Sequence, residues 1–127
     1  MLKQDKRKKT EHTEQVSLFN WAKLMESRHP QLALMFAIPN GGKRHVVVAH
    51  KLKMSGAKAG IPDIFLPVPH GEKLGLWIEL KVGKNKPTKA QNMWLSNLAS
   101  EGYETAVCYG VHEAITTIVD YLGLELS

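Results

Sequence analysis

The chain has very little cysteine, no long apolar run and no internal repeat, and each shortage removes a class of protein. Its 127 residues contain one cysteine, Cys108, so no internal disulfide forms. Cys108 lies in the apolar run Thr105 to Tyr109 and reads as a buried small hydrophobe. No stretch approaches the roughly 20 apolar residues that span a bilayer. The lysine-rich start, Met1 to Lys9, has no apolar segment behind it and so does not read as a signal peptide. An intracellular, cytoplasmic protein without a membrane partner is the expectation. There is no Gly-Lys-Ser or Gly-Lys-Thr phosphate loop, so no nucleotide cofactor is expected. The histidines are scattered, His45 and His50 miss the i, i+4 spacing of a helical zinc pair, and Cys-x-x-Cys and GxSxG are both missing. Structural zinc and a serine-hydrolase elbow are thereby disfavoured.

What is present suits one globular domain. The hydrophobic fraction of 43% allows a core in a chain of this length. A basic, non-periodic arm is expected over residues 1–10, and a single domain over 11–127. The net charge of +5 and a pI near 9.4 favour a polyanionic partner.

Two short apolar runs stand at the centre, Ile61 to Val68 and Leu74 to Val82, joined by a turn at His70-Gly71-Glu72-Lys73. They read as a β-hairpin. In the second run a period of two separates Leu76, Ile78, Leu80 and Val82 from Trp77, Glu79 and Lys81. Glu79 and Lys81 then share a face. Asp63 follows Pro62 in the first run. Adjacent strands lie about 4.7 Å apart, so an Asp and a Glu on facing positions can hold one cation with Lys81 beside it. Oxygen donors of this kind suit Mg²⁺ or Mn²⁺. Alternatively, Glu79 and Lys81 form an ion pair and Asp63 caps a turn.

An amphipathic helix is expected from about Glu11 to Arg28, with Thr10 or Thr13 as N-cap and a stripe of Leu18, Trp21, Ala22 and Met25. Glu14 lies on that stripe; by itself it reads as a first-turn acid complementing the helix dipole. Leu32 to Ile38 reads as a strand. Pro39-Asn40-Gly41-Gly42 is then a turn, and Lys43-Arg44 opens a second helix to about Ser55. That turn is either an ordinary connection or a phosphate-receiving loop in which Asn40, Gly42, Lys43 and Arg44 meet the anion. After the hairpin come a basic loop, Gly83 to Pro87, and a helix capped by Thr88 and running to about Ser100. Gln91, Trp94, Leu95 and Leu98 share one face of it, and Gln91 reads either as a backbone cap or as a site residue. Tyr103 to Tyr109 forms a further strand, and Val111 to Leu122 a last helix.

The ordered segments Ile38 to Arg44, Lys58-Ala59-Gly60-Ile61-Pro62-Asp63, Glu79-Leu80-Lys81 and Gln91 to Leu95 resemble the stand-alone VRR-NUC domain of phages and bacteria. Pro62-Asp63 followed by Glu79-Leu80-Lys81 matches the wider PD-(D/E)XK nuclease signature. The resemblance runs from about Glu11 to the C-terminus. It implies an α/β, restriction-endonuclease-like fold, a central mixed β-sheet flanked by helices. It implies a metal-dependent deoxyribonuclease with catalytic Glu14, Asp63, Glu79, Lys81 and Gln91, and Mg²⁺ or Mn²⁺ held by Asp63, Glu79, the Leu80 carbonyl and Glu14. DNA is the expected partner, branched as in a Holliday junction, with Lys58, Lys84 and Lys86 among the contacts and a homodimer as the acting form. A non-catalytic nucleic-acid-binding module, a protein-interaction partner of a replication or packaging complex, and a nuclease of flap, single-stranded or nonspecific DNA are the alternatives.

Overall fold

The computed structural model describes residues 8–39 and 46–125. Thr10 opens the first helix, α1 (Glu11–Met25), through a capping box in which the Thr10 and Thr13 hydroxyls each accept from the other's backbone N–H. A 3₁₀ helix (Pro30–Leu34) and a two-residue strand, β1 (Phe36–Ala37), follow. The strand expected over Leu32 to Ile38 is therefore reduced to Phe36–Ala37, with Leu32 to Leu34 in the 3₁₀ turn. A strand would place Leu32, Leu34 and Phe36 on one face, but Leu32 is 1% exposed while Leu34 is 54% exposed. Pro30, with its fixed φ, starts the turn that buries Leu32 alone.

The second helix, α2 (Val46–Met54), precedes the hairpin strands β2 (Ile64–Leu66) and β3 (Leu76–Lys81). Of the expected Pro39 to Gly42 turn, residues 40–42 lie outside the described residues, as does Lys43-Arg44 at the expected start of α2. Thr88 caps α3 (Lys89–Ser100), and β4 (Glu104–Tyr109) and α4 (Val111–Leu122) complete the order. The sheet runs β1-β2-β3-β4, with antiparallel pairs up to β3 and a parallel β3–β4 pair joined by the α3 crossover.

The register aligns Ile64 with Ile78 and Leu66 with Leu76, so one face of the hairpin is wholly aliphatic. That face, with Leu80 and Cys108, packs on Leu18 and Ala22 of α1 and on Ala114 and Ile118 of α4. All of these positions other than Ala22 are at or below 1% exposure, which makes this layer the core. The Cys108 sulfur lies 3.4 Å from the Thr117 hydroxyl, and burial pushes its thiol pKa up, as suits a packing residue.

The other face carries Phe65, Trp77, Glu79 and Lys81. Its cover comes partly from α3, anchored by the Trp94 indole N–H donating to the Ala59 carbonyl at 3.0 Å. Gly60 permits the close approach: its φ is +89°, and a Cβ there would meet Ala90 at 2.9 Å.

Candidate active site

Three carboxylates converge where the α1 N-terminus reaches the end of the hairpin. One oxygen from each of Glu11, Asp63 and Glu79 lies within 4.8 Å of the others. Extending the Ile64–Ile78 register by one residue sets Asp63 opposite Glu79, the facing arrangement that lets two carboxylates share one cation. Asp63 is held in place because its Oδ2 accepts the Leu80 N–H at 2.8 Å, and the Asp63 carbonyl accepts the Ile38 N–H at 2.7 Å. The Pro62-Asp63 bend thus exchanges a ladder position for a side-chain contact with the next strand.

Glu79 is the unusual member. It is 1% exposed, and neither of its carboxylate oxygens has a hydrogen-bond partner. Removal from water, with the Asp63 carboxylate beside it, pushes its carboxyl up to about 8, while the Lys81 ammonium acts in the opposite direction. Lys81 Nζ stands 3.6 Å from Glu79 Oε2 and is itself buried. A buried carboxylate without a partner is costly unless something compensates it. An all-oxygen set with two orphaned buried acceptors fits a hard divalent cation, and Glu11, Asp63 and Glu79 are the residues positioned to hold one.

Glu14 lies elsewhere. It is buried on the expected stripe, but its Oε1 accepts the Val111 N–H at 3.2 Å, at the start of α4. There it caps a helix whose own N-cap, Gly110, offers no side chain, and a carboxylate in this position also complements the helix dipole. The acid of α1 that joins Asp63 and Glu79 is Glu11, one turn nearer the N-terminus. The apolar stripe pointed to Glu14, and the first-turn position, which both acids share, carried no signal that singles out Glu11. Gln91 completes the Thr88 capping box, its Oε1 accepting the Thr88 N–H at 2.8 Å. The Thr88-x-x-Gln91 spacing is itself a capping-box pattern and favours the cap between the two readings.

The basic residues surround this end of the sheet. Lys8, Lys9 and Lys84 line a cavity of about 520 Å³ with Glu14, Tyr109 and Gly110. Asn85 Nδ2 approaches Glu11 Oε2 at 3.5 Å, which brings the Gly83 to Pro87 loop against the acidic cluster. Lys58, Lys84 and Lys86 are exposed. A second cavity, about 540 Å³, opens the cluster toward β1 between Glu11, His12, Ala37, Pro39 and Asp63. Asn40, Gly42, Lys43 and Arg44 lie outside the described residues.

Fold and cluster together define an α/β protein with a carboxylate site able to hold a metal ion. The chain belongs to the VRR-NUC domain family, whose model matches residues 2–112. A solved VRR_NUC domain protein shares its fold with a TM-score of 0.80 at 32% identity, over 93% of this chain and 92% of that one. No curated protein matches. The VRR-NUC domain has the restriction-endonuclease-like fold, and membership implies a nuclease-type function with DNA as the substrate. No helix among the described residues is long and apolar enough to cross a membrane.

Proposed function

We propose that the protein is a divalent-metal-dependent DNA endonuclease that acts as a homodimer and prefers branched DNA such as four-way junctions. The observation that carries the metal assignment is the buried Glu79 carboxylate, whose oxygens accept no hydrogen bond, facing Asp63 and Glu11. Asp63, Glu79, Glu11 and the Leu80 carbonyl would hold Mg²⁺ or Mn²⁺. When bound, the ion polarises the scissile phosphate and lowers the pKa of a water molecule beside it.

The chain's own residues do the rest. Asp63 keeps its orientation through the Leu80 N–H. Lys81, 3.6 Å from Glu79, orients the attacking water or neutralises charge growing on the phosphate oxygens. Burial of both side chains keeps that ammonium in a low-dielectric setting, where its interaction with the phosphate is strong. Lys8, Lys9, Lys84 and Lys86 receive the flanking phosphates. Glu14 and Gln91 act here as helix caps that fix the α4 and α3 ends around the site. The preference for branched DNA rests on the family and on symmetry: two identical sites about a two-fold axis suit paired cuts in a four-way junction.

Cleavage mapped on a mobile four-way junction and on a matched duplex, with Mg²⁺ and after exhaustive EDTA treatment, tests the proposal alongside sedimentation at micromolar concentration. The expected result is a dimer that makes paired incisions in the junction and is inert in EDTA. Undiminished cleavage in EDTA overturns the metal assignment. A monomer cutting both substrates alike overturns the junction preference, and DNA binding without any cleavage favours a non-catalytic module.

A further inference from the structure

The sheet face that carries Glu79 and Lys81 also carries an aromatic row that the chemistry above leaves unused. Phe36, Phe65 and Trp77 occupy facing positions on β1, β2 and β3. Their rings form a continuous stack: Phe65 lies on Trp77 at 4.1 Å between centroids and 17° between planes, and Phe36 meets Phe65 edge-on at 5.8 Å. Tyr103 packs edge-on against Phe65 at 5.8 Å. The inner rings are half-buried, whereas Phe36, at the sheet edge, is 44% exposed.

This row lies one step from the acidic cluster. Trp77 precedes Glu79 by two residues on the same face, and Phe36 is the diagonal neighbour of Asp63, a relation that separates side chains by about 7–8 Å. A DNA strand presenting a phosphate to Asp63 and Glu79 from the face that carries Phe36 would pass over that ring with the adjacent nucleotide. A paired and stacked base cannot lay its face on a ring, whereas an unpaired one can.

We propose that Phe36, packed edge-on against a Phe65 ring that Trp77 and Tyr103 hold in turn, is a stacking platform for an unpaired base next to the scissile phosphate. The inference rests on the nuclease reading and extends it: selectivity for branched or unpaired DNA would come from this platform. Stacking on an aromatic side chain is tolerant of base identity, so the platform would select unpaired structure over sequence. The edge-on contact with Phe65 lowers the cost of ordering the exposed Phe36 ring.

The test uses the full chain and DNA carrying 2-aminopurine, unpaired, one nucleotide from the mapped cleavage position, with Ca²⁺ in place of Mg²⁺. The wild type should quench the 2-aminopurine and bind this DNA more tightly than matched duplex. Phe36→Leu should lose the quench and at least about five-fold in affinity for the unpaired DNA, with duplex affinity and thermal midpoint unchanged. Phe36→Trp should keep both, which guards against a folding defect in the leucine variant. Wild-type quench and affinity in Phe36→Leu overturn the proposal. So does a Phe36→Leu variant whose only change is conversion from dimer to monomer, since the face is then a self-association surface. A wild type that neither binds nor cuts DNA in Mg²⁺ overturns the nuclease reading itself, and this inference with it.

Discussion

The two faces of β3 receive the same backbone and the same neighbours in the ladder, yet they divide the work of the molecule. Leu76, Ile78 and Leu80 point into the aliphatic layer against α1 and α4 and are at most 1% exposed. Trp77, Glu79 and Lys81 point the other way, and two of those three are buried with charge. The first face gains by removing carbon from water; the second gives up stability by removing a carboxyl group from water with no hydrogen bond to its oxygens and another carboxylate beside it, which the Lys81 ion pair offsets only in part. Such a cost, concentrated next to Asp63 and Glu11, marks the second face as the functional one.

Substitutions on each face should therefore separate activity from stability. Glu79→Gln, Asp63→Asn and Lys81→Met should each reduce single-turnover cleavage by on the order of 10²-fold or more while leaving a cooperative thermal transition. Loss of the fold in all three would instead give that face a structural role. On the opposite face, Ile78→Ala or Leu80→Ala should cost about 2–5 kcal/mol in denaturant unfolding. Their cleavage at low temperature should fall far less than that of Glu79→Gln.

The comparison sharpens with pH. In the unfolded chain Glu79 titrates near its ordinary 4.5, whereas burial and Asp63 hold it at about 8 in the folded, metal-free protein. Between those values the folded state keeps a proton that the unfolded state has released. Stability of the metal-free protein should accordingly fall as pH rises from about 4.5 to about 8, and level off above. Thermal midpoints measured across this window should decline for the wild type in EDTA, and the decline should flatten in Glu79→Gln. A rising profile traceable to residue 79 would contradict the burial argument.

Glu11 and Glu14 repeat the contrast on a single helix. Glu14→Ala leaves the Val111 N–H without its acceptor and should cost about 1–3 kcal/mol, with cation affinity little altered once the protein is folded. Glu11→Gln should do the reverse, weakening cation binding with little change in unfolding free energy. The smallest effect is expected from the rim: Lys84→Gln with Lys86→Gln should lower the slope of log affinity against log salt by roughly one per lost phosphate contact.

Much of this was legible in the sequence, for identifiable reasons. The hairpin alternates cleanly, so period two alone placed Glu79 and Lys81 together; that Asp63 stands opposite Glu79 is set by the strand register, which the long connection from Leu66 to Leu76 left open in the sequence. The helices at Lys89–Ser100 and Val111–Leu122 were bounded by Thr88, Gly110 and Gly123, which act on the backbone locally. The segment after His29 was not legible, because Leu32 to Ile38 is uniformly apolar and periodicity does not separate a 3₁₀ turn from a strand there. The choice between Glu11 and Glu14 was equally hidden. Both occupy the first turn of α1, and only the tertiary placement of the α4 N-terminus decides that Glu14 caps it while Glu11 reaches Asp63. The aromatic row drew no attention in the sequence, since Phe36, Phe65, Trp77 and Tyr103 become neighbours only through the register of four strands.

The central claim is that the second face of β3 holds a divalent cation through Glu79. Calorimetric titration of the metal-free protein with Mn²⁺, in the absence of DNA, tests it most directly. The wild type should bind, Glu14→Gln should bind nearly as well, and Glu11→Gln should bind more weakly. Glu79→Gln should show no binding over the same range. Mn²⁺ affinity unchanged in Glu79→Gln, or no binding by the folded wild type, would contradict the account.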